Sequence, residues 1–363
     1  MKPSLQTLAM SMAAPGTSEN PRNTEASVLV RRDGSYLLAF TEFYGGGRDD
    51  SGANIVGLIS RDGGESWCDR RILQENVGGC NVMSASLLRL RDGAVLLSYI
   101  RKDSRSACTL FSRRSEDDGE TFGESVQIND WTAYMGCVND SFLQLRSGRV
   151  FCPVYFTNGA CWSGAEHFVA RMCYSDDGGR SWQAARTDVD CPMRGTMEPV
   201  LLERDDGSLL MLMRTQTGNV YEALSMDEGE TWGEAVPNSL PSQEAPIAVR
   251  RVPGGRTAVA VWNAAYDSDA RSHGGRRSPL HIAVSQDGMQ SVGTHFALEQ
   301  SDSTTFSYPS IAFDGAKLLL TYYVGEDHAL VDGGSTAMLG LRFRALDLKA
   351  LTGETAAFPL ETS

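Results

Sequence analysis

A short box, Ser-x-Asp-x-Gly-x-Ser/Thr followed by Trp or Phe, recurs at residues 60–67, 115–122, 175–182 and 225–232, with a worn fifth copy starting at Ser285. Its serines stand 55, 60, 50 and 60 residues apart. A period of that length suits one four-stranded blade of a propeller and little else. An apolar run enters each box, the Asp and Gly provide a tight turn, and the aromatic residue is expected to pack back into its own blade.

A second repeat interleaves with the first. Six segments read as a strand, a Gly-containing turn and a returning strand: SVLVRRDGSYLLAF, LLRLRDGAVLLSYI, FLQLRSGRVFCPVYF, VLLERDDGSLLMLMR, AVRRVPGGRTAVAVW and IAFDGAKLLLTYYV. Asp-Gly or a close variant between β-rich runs signals a hairpin. Six hairpins and five boxes predict an all-β, six-bladed propeller, with residues 1–363 forming one domain. Closing the ring requires one terminus to complete the other's blade, which predicts pairing of residues 5–12 with residues 339–346.

Chain direction then sorts the faces. The start of each hairpin's first strand, the end of its second and the following loop share one face, while the turns and boxes share the other. Counting nine residues back from the turn glycines brings Glu25, Ser84, Asn139, Glu198 and Pro246 to the inner rim, with Asp140 beside Asn139. Aligning Tyr-Pro of the sixth hairpin with Glu-Pro of the fourth adds Tyr308. Arg101 and Arg214 end second strands, and the following loops carry Arg48, Asp49 and Asp50, and Arg276 and Arg277. Exposed Arg and Asp in loops are ordinarily solvated, so the concentration on one face is what argues for a site.

The composition narrows the partners. A formal net charge of −13 is unlike a phosphate-tracking surface and implies that an anionic ligand would need local arginines. The eight cysteines form no C-x-x-C pair, the five histidines are scattered, and no phosphate loop is present, so no metal or cofactor is expected. No segment reads as a secretory leader or a membrane span, which together with the free thiols suggests a cytoplasmic setting and neither a membrane nor a nucleic-acid partner.

On these residues the chain resembles the sialidase (neuraminidase) superfamily with Asp-box, or BNR, repeats. The resemblance covers nearly the whole chain. It implies an exo-acting, retaining glycoside hydrolase that removes a terminal acidic sugar, with a carbohydrate as its partner. By the same resemblance Tyr308 is the nucleophile, Glu198 the base that takes its proton, Asp50 (or neighbouring Asp49) the acid/base, and Arg214 and Arg277 parts of an anion clamp. The chemistry fits those types: a phenol needs a base at neutral pH, and guanidinium forks match carboxylates. One departure stands out, because Thr24 occupies the place of the family's first-blade arginine. Arg48 or Arg101 could compensate, Glu25 could hydrogen-bond sugar hydroxyls or replace Asp50 as the acid, and Arg276, Ser84, Asn139 and Asp140 remain candidates for holding substrate. The rival readings are an exo-glycosidase for another sugar and a non-catalytic carbohydrate-binding propeller.

Overall fold

In a computed structural model, residues 4–161, 166–269, 275–293, 295–326 and 338–353 are described. The chain is all-β with a propeller-like arrangement of antiparallel sheets. The first hairpin pairs Arg22–Val30 with Tyr36–Tyr44, then adds Gly52–Ser60 and Cys68–Gln74. The pattern of hairpin, third strand and outer strand repeats along the chain. In the last unit the outer place is taken by the N-terminal strand Thr7–Ala14, which runs antiparallel to Leu339–Asp347 from Thr7↔Leu346 to Ala14↔Leu341.

The expected six separate blades are not six separate sheets. Three four-stranded sheets and one five-stranded sheet are blade-sized, whereas the first and last hairpin units share one eight-stranded sheet. The cause is local: Arg22 and Leu339 make a single parallel pair where the chain ends meet.

The Asp boxes are hydrogen-bonded turns built alike. Ser60 Oγ donates to Asp62 Oδ1 at 2.9 Å, and the amides of Gly64 and Ser66 donate to Ser60 Oγ and Asp62 Oδ1. The copy at Ser285 reproduces this network, with Met289 N donating to Ser285 Oγ at 2.9 Å and Ser291 N to Asp287 Oδ1 at 2.9 Å. That copy is worn in sequence and intact in geometry. The box aromatics reach across to the adjoining unit as well as into their own. Trp67 packs edge-on to Phe343 and its indole donates to Ser11 Oγ, while Trp182 stacks on Phe142 and donates to Ser112 Oγ. Apolar packing lies between neighbouring sheets, as with Leu29 and Leu37 of the first unit against Val82 and Leu97 of the second.

Five hairpin units present a polar residue in left-handed backbone conformation near the start of the inner strand: Glu25 (φ 55°), Ser84 (61°), Asp140 (56°), Glu198 (46°) and Tyr308 (55°). In four of them the strand register slips at this point, between Thr24 and Ser27, Met83 and Ser86, Met197 and Val200, and Ser307 and Ser310. Such a bulge kinks the strand and re-aims one side chain at a small energetic cost. The fifth hairpin has Pro246 there, whose ring holds φ negative, and its pairing shows no slip.

Candidate active site

The bulges converge on a concave site open to solvent. Glu25, Ser84, Glu198 and Tyr308 line it, joined by Asp49 and Lys102 and by a less polar wall that includes Met83, Ile100, Tyr134 and Tyr155. Residues 25, 198 and 308, remote in sequence, therefore meet at one rim.

The Tyr308 hydroxyl donates to Glu198 Oε1 at 2.8 Å, and Arg214 Nη1 donates to Glu198 Oε2 at 2.8 Å. Burial and the charge of Glu198 hold the phenol's pKa well above its ordinary value, against the opposing pull of Arg214 and Arg277. At neutral pH the phenol is thus protonated, and it can lose its proton only as it reacts, to the carboxylate already bonded to it. Arg277 lies 5.5 Å from the Tyr308 ring centroid, donates to Tyr323 Oη at 3.0 Å and to the Glu244 carbonyl at 3.3 Å, and is buried.

Also on the lining, Ser84 Oγ donates to Glu25 Oε2 at 2.7 Å and Arg22 Nη2 to Glu25 Oε1 at 3.3 Å. Burial raises the Glu25 pKa, and the charge of Arg22 and the hydroxyl of Ser84 offset that only in part. Asp49 behaves oppositely. Burial would raise it too, but Arg22, 2.5 Å away, and Lys102 outweigh that and hold it well below the usual carboxylate range. Two acidic side chains on one wall are therefore biased apart, Glu25 toward the acid and Asp49 toward the carboxylate.

Other expected site residues fall elsewhere. Asp50 is not on the cavity wall. It sits at the rim between Arg48 and Arg105, whose hydrogen bonds outweigh its burial and lower its pKa, while the neighbouring candidate Asp49 is the loop carboxylate that lines the cavity. Arg48 is half exposed with Asp50 as its partner, and Arg101 pairs with Asp103 and packs over Phe111. Arg276 offers its carbonyl to Gln243 Nε2 and to the Ser278 amide, and does not line the cavity.

Asn139 and Asp140 lie behind the wall. Asn139 Nδ2 donates to the Ala26 carbonyl at 2.7 Å, and Asp140 accepts from Ser27, Arg250 and the Ile311 amide. These bonds tie inner strands of four hairpin units together, which is a fixing task. The third unit's inward residue is Asp140, one later than counting from the turn suggests.

Three residues escaped the sequence reading. Arg22 enters from two residues before Thr24, packs over Phe43 and joins Asp49 to Glu25. Lys102, beside Arg101, donates to the Asp49 carbonyl at 3.1 Å and faces the cavity. Glu244 is buried between Arg194 and Arg214. Strand alternation was the available signal for Lys102, since successive side chains point to opposite faces. Among the described residues no group of three or more His, Cys, Asp or Glu could hold a metal ion, and no helix is long and apolar enough to cross a membrane.

The all-β, propeller-like sheet arrangement gives the class of the fold. Residues 82–319 match the BNR repeat-like domain family. The chain belongs to that family, and with it to the sialidase/BNR superfamily. A 92-residue stretch is 33% identical to the anhydrosialidase of Macrobdella decora, covering 25% of this chain and 11% of that protein's length. Among solved structures, a protein of unknown function from Dyadobacter fermentans superposes with a TM-score of 0.73 at 16% identity, over 95% of this chain and 99% of that one. The intramolecular trans-sialidase from Ruminococcus gnavus gives 0.70 at 15% identity, over 92% and 96%. A Hadza microbial sialidase gives 0.70 at 18%, over 92% and 67%. At such identities these likenesses speak for the fold alone.

Proposed function

We propose that this protein is an exo-acting, retaining glycoside hydrolase in which Tyr308 is the nucleophile and Glu198 its base. The shared eight-stranded sheet is then two blades joined at one residue pair, which makes a six-bladed propeller of residues 1–363 as one domain. The observation that carries the reading is the 2.8 Å bond from the Tyr308 hydroxyl to Glu198, held from behind by Arg214.

In the first step the phenol oxygen bonds to the anomeric carbon as its proton passes to Glu198, and the glycosidic bond breaks. Glu25, the wall carboxyl biased toward its protonated form, gives its proton to the departing oxygen. In the second step water attacks the anomeric carbon, Glu25 takes the water's proton, and Tyr308 leaves with the proton returned by Glu198. Two displacements at one carbon return the starting configuration. Asp49 stays ionised beside Arg22 and is suited to accept sugar hydroxyls. The eight free thiols, six of them buried, suit a reducing compartment such as the cytoplasm.

A panel of aryl α-glycosides assayed with wild type, Tyr308→Phe and Glu198→Gln tests this. Glu198→Gln is expected to lose roughly 10²–10⁴-fold in kcat, the usual share of a positioned base. Tyr308→Phe should lose at least as much. A Tyr308→Phe variant as active as wild type would remove the nucleophile, and absence of turnover for every member would leave a carbohydrate-binding propeller as the better reading.

A further inference from the structure

Four hairpin units bring a side chain to the cavity through a bulge: Glu25, Ser84, Glu198 and Tyr308. The fifth has Pro246 at the corresponding place and no slip in its pairing. The residues just ahead of that proline, Ser242, Gln243 and Glu244, are nonetheless all buried. A run of buried polar side chains is costly unless each finds a partner. Here each does. The Ser242 amide donates to the Gly218 carbonyl at 2.9 Å, Gln243 Nε2 donates to the Arg276 carbonyl, and Glu244 Oε1 accepts from Arg194 Nη1 at 2.5 Å and lies 3.6 Å from Arg214 Nη2. The Glu244 carbonyl accepts from Arg277 Nη2 at 3.3 Å. One residue therefore meets both guanidiniums whose charge acts on the Tyr308 phenol.

From the phenol outward, Tyr308, Glu198, Arg214, Glu244, Arg194 and Glu166 form a line of contacts at 2.8, 2.8, 3.6, 2.5 and 3.2 Å, with the charges alternating in sign beyond Tyr308. Arg214 is the pivot. Its Nη1 serves Glu198 and its Nη2 faces Glu244, so one positive charge is shared between two buried carboxylates. Burial works against that charge, and Glu198 and then Glu244 outweigh it. With Glu244 neutral, the pull of Arg214 on Glu198 and on the phenol would no longer be shared, and in a buried site such a change is felt strongly. Glu198 would then take a proton less readily, and Tyr308 would be the weaker nucleophile.

Resting on the hydrolase reading above, we infer that Glu244 is a positioning residue for the Tyr308–Glu198 pair: by dividing the charge of Arg214 between two carboxylates it keeps Glu198 able to take the phenol proton. It acts through Arg214 and, by its carbonyl, through Arg277. The fifth unit thus has a part in the site by way of the segment ahead of its inner strand, where its neighbours use a bulge. The other ionisable groups that face this line are Tyr323 on Arg277, and Glu25 and Tyr155 beside the pair. They stay in place when Glu244 or Arg194 is changed.

The test follows the Tyr308 phenol directly, by fluorine NMR of protein carrying 3-fluorotyrosine, where Tyr308→Phe assigns the resonance and the fluorine makes the phenol easier to ionise. In Glu244→Gln the phenol should ionise at a pH lower by roughly half to one unit. Glu244→Asp keeps the charge and should stay close to wild type. Arg194→Gln, at the more exposed end of the line, removes the rival for Glu244 and should move the midpoint up, so the sign can be read even where Glu244→Gln does not fold. On the aryl α-glycoside that wild type cleaves fastest, Glu244→Gln should lose about tenfold in kcat with KM changed far less, and Glu244→Asp should recover most of it. A midpoint that stays put or rises in Glu244→Gln would overturn the inference, as would a fall in Arg194→Gln or a shifted phenol with unchanged kcat. Shifts of the expected signs with no aryl release by wild type would support the place of Glu244 beside the pair while overturning the hydrolase reading, so the two fail separately.

Discussion

A phenol becomes a useful nucleophile only when something takes its proton during attack, and burial makes that need sharper at Tyr308. Its pKa is pushed up by desolvation and by Glu198, so a free phenolate is not an available species near neutrality. Glu25 and Asp49 raise the matching question of which acid is protonated in the cavity. Ser84 helps to set the answer, because its hydroxyl favours the charged form of Glu25 and so pulls a raised pKa back down. Ser84→Ala should raise the Glu25 pKa further. As Glu25 must be protonated to assist the leaving group, the alkaline limb of kcat/KM should move to higher pH in this variant. A profile that loses height without moving would reduce Ser84 to packing. Folding stability follows the same sign. A carboxyl whose folded pKa is raised contributes less stability as pH climbs from the unfolded carboxylate range, about 4.3, through its folded value. Glu25→Gln should therefore flatten wild-type stability loss over that rise.

At the scale of strands and turns, the Asp box supplies a separate pH response. Hydrogen bonds from Ser66 and Thr121 push Asp62 and Asp117 down to about 2. Their contribution is fully present above the unfolded aspartate range, about 3.9, and is lost as pH falls toward 2. Asp62→Asn should lower the melting temperature at pH 6 and lessen the drop between pH 4 and pH 2; equal acid sensitivity in variant and wild type would contradict this. The hairpins were legible because Asp-Gly turns and apolar runs are local signals. The bulge was not, since it inserts residues without a composition mark, and each inward side chain depends on it. That is why counting from turns reached Glu25, Ser84 and Glu198, and the Tyr-Pro alignment reached Tyr308, yet the count stopped at Asn139 when Asp140 takes the left-handed place. Slips of one residue also separate Asp50 from Asp49 and Arg101 from Lys102. On a strand, or in a loop that hugs one, a single step reverses the direction of a side chain.

Over the whole molecule, a ring is only as firm as its join. Strand Thr7–Ala14 completes the last unit and also meets the first, because Ser11 donates to the Gly64 carbonyl and accepts from the Trp67 indole. Asp140 acts similarly at the centre, bonding to groups from the first, fifth and sixth hairpin units. Removing residues 1–15 should lower the melting temperature by about 10 °C or more, given that a few kcal/mol shift a domain of this size by several degrees. An unchanged melting temperature would show that the join bears no stability. The central claim is that the ring brings Tyr308 to the anomeric carbon. It is tested most directly by trapping the intermediate with the 2-deoxy-2-fluoro glycosyl fluoride of whichever sugar wild type cleaves fastest, then mapping the labelled peptide by mass spectrometry. The account predicts one glycosyl increment on Tyr308; an increment on Glu25, Asp49 or Glu198 would contradict it.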